Sequence, residues 1–273
     1  MKSSFLNKVC FVLFLAVFLP DLASAEVATT DAKLGFYSRT YPLGAQITGT
    51  GGISALLWGD SKSWKYGYAR LGINLATSAV VNRAGFEAQI NPISIVSLSA
   101  GYDWGMRGYV PKYIDCGIYQ CSGRADRRFV KAQGVGAYQG VVLSFLARYE
   151  EIRAPNATKP FFDEVTLLTG SAAGAPVLTL NPALLVTVDE VWKVGGTSLY
   201  SRVVGTDQFT HLYGPVASFQ AEPNLSFIGG AGLNRSPVVH NGWAAFFVVQ
   251  YTLKPSLNIA DLPLRTESYS SLF

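Results

Sequence analysis

The chain has 273 residues, of which only 15% are charged and 13% aromatic, and its formal net charge is +4. Ordinary globular chains carry roughly a quarter charged residues, so this composition suits strands facing lipid better than a surface facing water. The basic residues form no run, which leaves no basis for a nucleic-acid partner, and the length is ample for one barrel or sandwich without a second domain.

The chain opens on an export signal. Lys2 and Lys8 give a positive start, Val9 to Leu19 an apolar stretch, and Ala23-Ser24-Ala25 a small-residue cleavage site. The apolar run falls short of the ~20 residues that span a bilayer and stops at Pro20 and Asp21. Residues 1–25 are therefore expected to be a signal peptide for the general secretory pathway, and Cys10 leaves with it. The expected organisation is a β domain over 26–253 followed by a tail over 254–273, either periplasmic or forming a closing strand. Two cysteines remain, Cys116 and Cys121, and export favours a disulfide between them. No histidine is near enough in sequence to suggest a metal site there, and no metal or cofactor is expected.

From Lys33 onward alternating segments follow one another between Gly, Pro, Asn and Asp clusters, with no convincing helical period. The first two cover Lys33 to about Tyr41 and about Gln46 to Trp58. In the third, Gly67, Ala69, Leu71, Ile73 and Leu75 oppose Tyr66, Tyr68, Arg70 and Asn74. The clearest pair runs from Phe86 to Gly105: Phe86, Ala88 and Ile90 alternate with Glu87 and Gln89, then Leu98, Ala100, Tyr102 and Trp104 with Ser97, Ser99, Gly101 and Asp103. Period two places each set on one face of a sheet. The turn between them is expected at Asn91-Pro92.

Met106 to Arg128 breaks the rhythm and reads as the longest loop. Segment six covers about Phe129 to Gln139. In segment seven Val141, Leu143, Phe145, Ala147 and Tyr149 share one face, opposite Ser144, Arg148 and Glu150. Ala154 to Pro160 is a second loop, and about Glu164 to Leu180 reads as segment eight, either continuous or interrupted at Gly170 to Gly174. Asn181-Pro182 and Glu222-Pro223-Asn224 repeat the earlier turn signal, so strands nine to twelve are expected from Ala183, Phe209, Leu225 and Gly242. If these turns share one end of the molecule, the strand count is even. Trp243, Ala245, Phe247, Val249, Tyr251 and Leu253 make the final segment the cleanest.

An all-β sandwich would alternate too. Aromatics at strand ends, a polar phase rich in Gly, Ser, Asn and Gln, and scarce charge favour a membrane barrel instead. From Lys33 to Leu253 the pattern resembles bacterial outer-membrane β-barrel proteins in general architecture. That resemblance implies an all-β, antiparallel transmembrane barrel of about 12 strands, with 10 or 14 as alternatives, in a Gram-negative envelope. Membrane lipids, the outer-membrane assembly machinery and small polar solutes are the partners it implies.

Arg70, Arg83, Glu87, Asp103, Lys131, Arg148 and Glu150 fall on the phase expected to face the lumen. Charges of both signs there suit a small porin-like channel or a filled, structural interior that displays loops for surface interactions. A lipid-acting enzyme would need a histidine beside a serine, with a third group orienting the imidazole. His211 and His240 are the only histidines, and Ser236 is the serine nearest His240. A nucleophile is missing from the His240-Asn241-Gly242 run, so no catalytic residue is assigned and no enzyme is expected.

Overall fold

The computed structural model describes residues 28–40, 43–61, 64–78, 80–108, 115–163, 166–236 and 241–257. The expected signal peptide, His240 and the tail beyond residue 257 lie outside them. In chain order the strands are β1 (Ala28–Thr40), β2 (Leu43–Trp58), β3 (Gly67–Ser78), β4 (Val81–Ile93), β5 (Val96–Arg107), β6 (Gly123–Arg124), β7 (Asp126–Tyr138), β8 (Val141–Arg153), β9 (Phe161–Asp163), β10 (Leu168–Gly170), β11 (Ala175–Thr187), β12 (Trp192–Val203), β13 (Phe209–Glu222), β14 (Leu225–Arg235) and β15 (Gly242–Lys254).

Twelve of these strands form a closed antiparallel barrel. Each pairs with its neighbour in the chain, and β15 returns to pair with β1, as in Phe36 against Val249. Closure removes the free edges that neither water nor lipid tolerates well. β6 is a short extension beside β5, and β9 with β10 forms a separate hairpin within a loop. No helix among the described residues is long and apolar enough to cross a membrane.

Alternation decides the two surfaces. Leu71, Ile73 and Leu75 on β3, Leu143 and Phe145 on β8, and Leu184 and Val186 on β11 all point outward and are exposed. On the same strands Arg70, Arg148 and Asn181 point inward. An apolar surface that encircles the whole barrel exceeds what a soluble monomer exposes and matches the lipid-facing band of a membrane barrel. Aromatics bound that band. Phe86, Tyr102 and Trp104 meet near one end, with Tyr102 and Trp104 rings 4.9 Å apart. At the other end Trp192, Phe219, Phe227 and Phe247 form a row across β12 to β15.

The connections differ by end. One end holds the turns at 94–95, 139–140, 188–191 and 223–224 and the connection 59–66, as well as both ends of the barrel chain. The opposite end holds connections 108–125 and 154–174. The β7–β8 turn is a two-residue hairpin in which Gln139 and Gly140 both have positive φ, 48° and 80°, the combination that follows strand twist in a type I′ turn.

Three sequence expectations are corrected. The β4–β5 turn falls at Ser94-Ile95, three residues later than Asn91-Pro92, and Ser94 is anchored by its hydroxyl donating to the Trp64 carbonyl at 2.6 Å. Asn181-Pro182 is not a turn but the middle of β11, opposite Leu146 and Phe145 of β8. A proline has no ladder donor, and pairing with β12 skips these positions, passing from Leu180–Tyr200 to Ala183–Thr197. The Thr197 hydroxyl bridges the break, 3.2 Å from Asn181 Oδ1 and 3.3 Å from the Pro182 carbonyl. The hairpin expected at 181–182 turns instead at 188–191, so strand nine begins at Trp192 rather than Ala183. Finally, the segment over Glu164 to Leu180 is interrupted, as its alternative reading had it, between Gly170 and Ala175, but its first part is no wall strand: Leu168 to Gly170 belongs to the loop hairpin, and the barrel strand starts at Ala175.

Candidate functional site

The lumen is the candidate site, and its wall has two unlike halves. Inward positions of β1, β3, β4, β5, β7 and β8 carry the charges. Those of β11 to β15 carry Val177, Leu185, Leu199, Leu212, Val216, Ile228, Phe246 and Val248 among Ser, Thr, Asn and Gly, with Lys193 the charged exception among the described residues.

All seven charged residues expected on the inward phase lie in the lumen, and six make ion pairs there. Arg70 on β3 reaches Asp31 on β1 through two contacts, Nε to Oδ2 at 2.7 Å and Nη2 to Oδ1 at 2.6 Å. Its guanidinium lies flat over Gly52 and Gly72, where an added Cβ would approach it to 2.7 Å and 2.4 Å. Glycine at both places gives the side chain room to cross the wall. Lys131 pairs with Glu87 at 2.8 Å. Arg148 spans Glu150 at 3.0 Å and Asp103 at 3.4 Å, and stacks over Phe129 with 4.0 Å to the ring centre. Arg83 donates to Gln46 at 3.3 Å.

Sequence reasoning missed the hub of this lattice. Arg127, almost fully buried, pairs with Glu150 at 3.2 Å and also with Asp163, a residue of the loop hairpin. That second contact pulls β9 and β10 into the mouth at the long-loop end. Phe161 and Leu168 are buried there against Ile152, Ala175, Val177 and Val203 of the inner wall. Thr210 on β13 donates to the Thr166 carbonyl at 2.8 Å, and Thr169 donates to Gln208 through its amide and its hydroxyl. The hairpin thus bridges the mouth from β7 to β13. Burial pushes the Asp163 carboxyl up, but the Arg127 charge and the donors of Thr166 outweigh it and hold the pKa below its ordinary value.

The other long loop clasps this hairpin. Cys116 and Cys121 form a disulfide, and between them Gln120 donates its backbone N–H to the Pro160 carbonyl at 2.8 Å. Arg107, buried at the end of β5, donates from Nη1 to the carbonyls of both Gln120 and Phe162, at 3.0 and 2.9 Å. Lys159 donates to the Gly117 carbonyl at 2.8 Å.

Beneath the hairpin the lumen opens into two adjoining cavities that share Gln133, Val248 and Gln250. One, of about 270 Å³, is faced by Lys33, Arg70, Asn74, Glu87, Gln89 and Lys131. The other, of about 520 Å³, lies between Leu146 of β8 and the uncharged half of the wall, including Leu185, Leu199, Leu212, Ile228 and Phe246. At the short-turn end Tyr66, Tyr68, Val135, Val142, Leu185 and Val216 pack together inside the barrel with Trp64 and Leu257 against them.

The histidine that the structure describes lies elsewhere. His211 points outward, near the long-loop end, where its Nε2 is 2.8 Å from the Ser198 hydroxyl. Ser198 is its serine neighbour, thirteen residues away on the adjacent strand, and the expected nearness of Ser236 to His240 lies outside the described residues. Its other contacts among the described residues are the rings of Tyr200 and Tyr213 and the charge of Arg235. None is a carboxylate or amide that would orient the imidazole. No cluster of His, Cys, Asp and Glu suited to a metal ion occurs among the described residues.

A closed barrel with an apolar belt, a polar lumen, short turns at one end and long loops at the other has the general architecture of bacterial outer-membrane β-barrels. No protein-family model matches the chain, and no curated protein does. Among solved structures it is similar to the KdgM porin at 12% identity, covering 82% of this chain and 98% of that one, with a TM-score of 0.42. It is also similar to the β domain of the Bordetella autotransporter BrkA at 10% identity, covering 84% and 100%, also with a TM-score of 0.42. OmpT of Vibrio cholerae matches at 7% identity, covering 82% and 97%, with a TM-score of 0.41. At these values the similarities describe barrel shape and carry nothing about solute or activity.

Proposed function

We propose that the chain is a non-enzymatic channel of the bacterial outer membrane, exported through the general secretory pathway and selective for small solutes with polar or charged groups. The observation that carries this reading is the lumen: ion pairs along one side of the wall, from β1 to β8, one of which holds a hairpin in the mouth, above cavities that the barrel encloses. Ion pairs between strands one or two places apart in the ring brace this side of the wall, and charges of both signs give a passing solute exchangeable partners. The short-turn end is periplasmic in this orientation and the 108–125 and 154–174 connections face outward, following the usual asymmetry of such barrels. Membrane lipids contact the apolar belt, and the assembly machinery that inserts such barrels is its partner during biogenesis.

Reconstitution of the full chain into planar bilayers tests this reading. Small, reproducible conductance steps are expected, and a silent bilayer containing folded, inserted protein would refute the channel. A structural or surface-interaction role has one observation in its favour, the disulfide-closed segment that packs the two long loops into one outward-facing surface. Deleting residues 115–122 should then abolish a binding or envelope phenotype while leaving conductance steps in place.

A further inference from the structure

We propose that the larger cavity is a binding site for a compact, uncharged molecule with an apolar body and one hydroxyl, the body lying against the wall from β11 to β15 and the hydroxyl at Gln133 and Gln250. This deepens the channel reading by naming a solute class, and it rests on that reading for transport but not for the binding itself.

The wall supplies the first part of the argument. Leu185, Leu199, Leu212, Val216, Ile228 and Phe246 face the cavity from β11 to β15, and Leu146 faces it from β8, although inward positions of a water-filled pore ordinarily carry polar side chains. Among the described residues that line it, none is charged. A full charge of either sign entering this space loses hydration and meets no counter-charge on the wall, whereas an apolar body gains by leaving water. The volume of about 520 Å³ falls within the ~300–1,000 Å³ of small-molecule sites, which are mainly apolar with a few placed polar groups.

Those polar groups are present at one border. Gln133 and Gln250 line both cavities, so they stand where the apolar wall gives way to the Glu87–Lys131 pair. Neither side-chain amide has a hydrogen-bond partner among the described residues. An amide offers both donors and an acceptor, and a hydroxyl can answer either. Along the barrel axis the space is bounded at both ends. Val135, Leu185 and Val216 belong to its wall and also to the cluster with Tyr66 and Tyr68 at the short-turn end. The docked hairpin stands toward the other end, with Phe161 and Leu168 packed against Val177 and Val203. A sugar has no use for the leucine wall, and a hydrocarbon leaves the two amides unanswered. An apolar body with one hydroxyl uses both.

The test places the full chain in nanodiscs and titrates 4-fluorophenethyl alcohol, reading its fluorine by NMR against empty nanodiscs. A protein-dependent resonance that saturates is expected. 4-Fluorophenylacetate and 4-fluorophenethylammonium keep the ring but carry a charge of either sign, and each should bind at least tenfold more weakly. Leu199→Asn should weaken the alcohol about fivefold and Gln250→Leu about threefold, with heat-dependent gel mobility confirming that each variant is folded. An alcohol signal equal to that of empty nanodiscs overturns the proposal, as do charged analogues that bind as tightly as the alcohol, or binding indifferent to both substitutions in folded protein. Binding in the absence of any conductance would leave this inference standing and remove the channel. Conductance without alcohol binding would do the reverse.

Discussion

Replacing Asp163 by Asn addresses the contact that holds the hairpin in the mouth. The carboxylate pairs with Arg127 and accepts the amide and hydroxyl of Thr166, at 2.9 and 2.6 Å. Asparagine preserves the shape and one acceptor for Thr166 but removes the charge beside a buried guanidinium. Breaking a buried pair by removing one partner costs ~3–5 kcal/mol, and because Glu150 still neutralises Arg127 at 3.2 Å the lower figure, about 3 kcal/mol, applies. At ~1.4 kcal/mol per decade the docked-to-undocked ratio of the hairpin falls by about a hundredfold. Cleavage of a segment that opens rapidly tracks its open population. Chymotrypsin should therefore cut after Phe162, which the docked hairpin buries, about a hundredfold faster in the variant, while the barrel strands stay intact. Cleavage at the wild-type rate would refute the assignment of Asp163 as the hairpin's anchor.

Acid should reach the same hairpin. Because the folded pKa of Asp163 lies below its ordinary value, its contribution is fully present above the unfolded pKa of ~3.9 and is lost as pH falls through the lower folded value. Chymotrypsin is inactive there, so pepsin cleavage of the 154–174 connection should rise below about pH 4 in wild type and be nearly flat in Asp163→Asn. Replacing Cys116 and Cys121 together by Ser removes the closure of a short loop, worth about 2 kcal/mol, and should loosen Gln120 from Pro160, raising proteolysis near residue 160 without lowering barrel stability. Pro182→Val gives β11 back a ladder donor facing the break with β12. A net gain of about 1 kcal/mol should raise the temperature at which gel mobility shifts, and a drop would show that the break relieves strain. Glu87→Gln leaves Lys131 without its carboxylate and should shift ion selectivity toward anions, read as a change in reversal potential across a salt gradient.

How much of this was legible in the sequence depends on range. Alternation is local, so the inward phase of Arg70, Glu87 and Lys131 and the outward phase of Leu71, Phe86 and Leu143 follow from parity along each strand. Who meets whom inside the barrel depends on stagger between strands. The Lys131–Glu87 and Arg70–Asp31 pairs each reach past one intervening strand, which alternation along a single strand does not reveal. The hairpin was hidden differently. Phe161, Phe162, Leu167 and Leu168 are apolar enough to read as part of a wall strand, and only the flanking Pro160, Gly170 and Gly174 hint that the segment starts and stops on its own. Asn181-Pro182 misled because proline ordinarily marks a strand's end. Here Pro182 faces outward within β11, and Thr197 covers the broken pairing. Arg127 was passed over within Met106 to Arg128, read as the longest loop, whereas β7 begins one residue earlier, at Asp126.

The central claim is that this barrel conducts through a lumen narrowed by its own hairpin. Single-channel recording of the purified full chain in planar bilayers, compared side by side with Asp163→Asn, tests it most directly. The account predicts small unitary steps for the wild-type protein and larger or longer openings for the variant. Folded, inserted barrels that stay silent in both forms, or identical openings in the two, would contradict it.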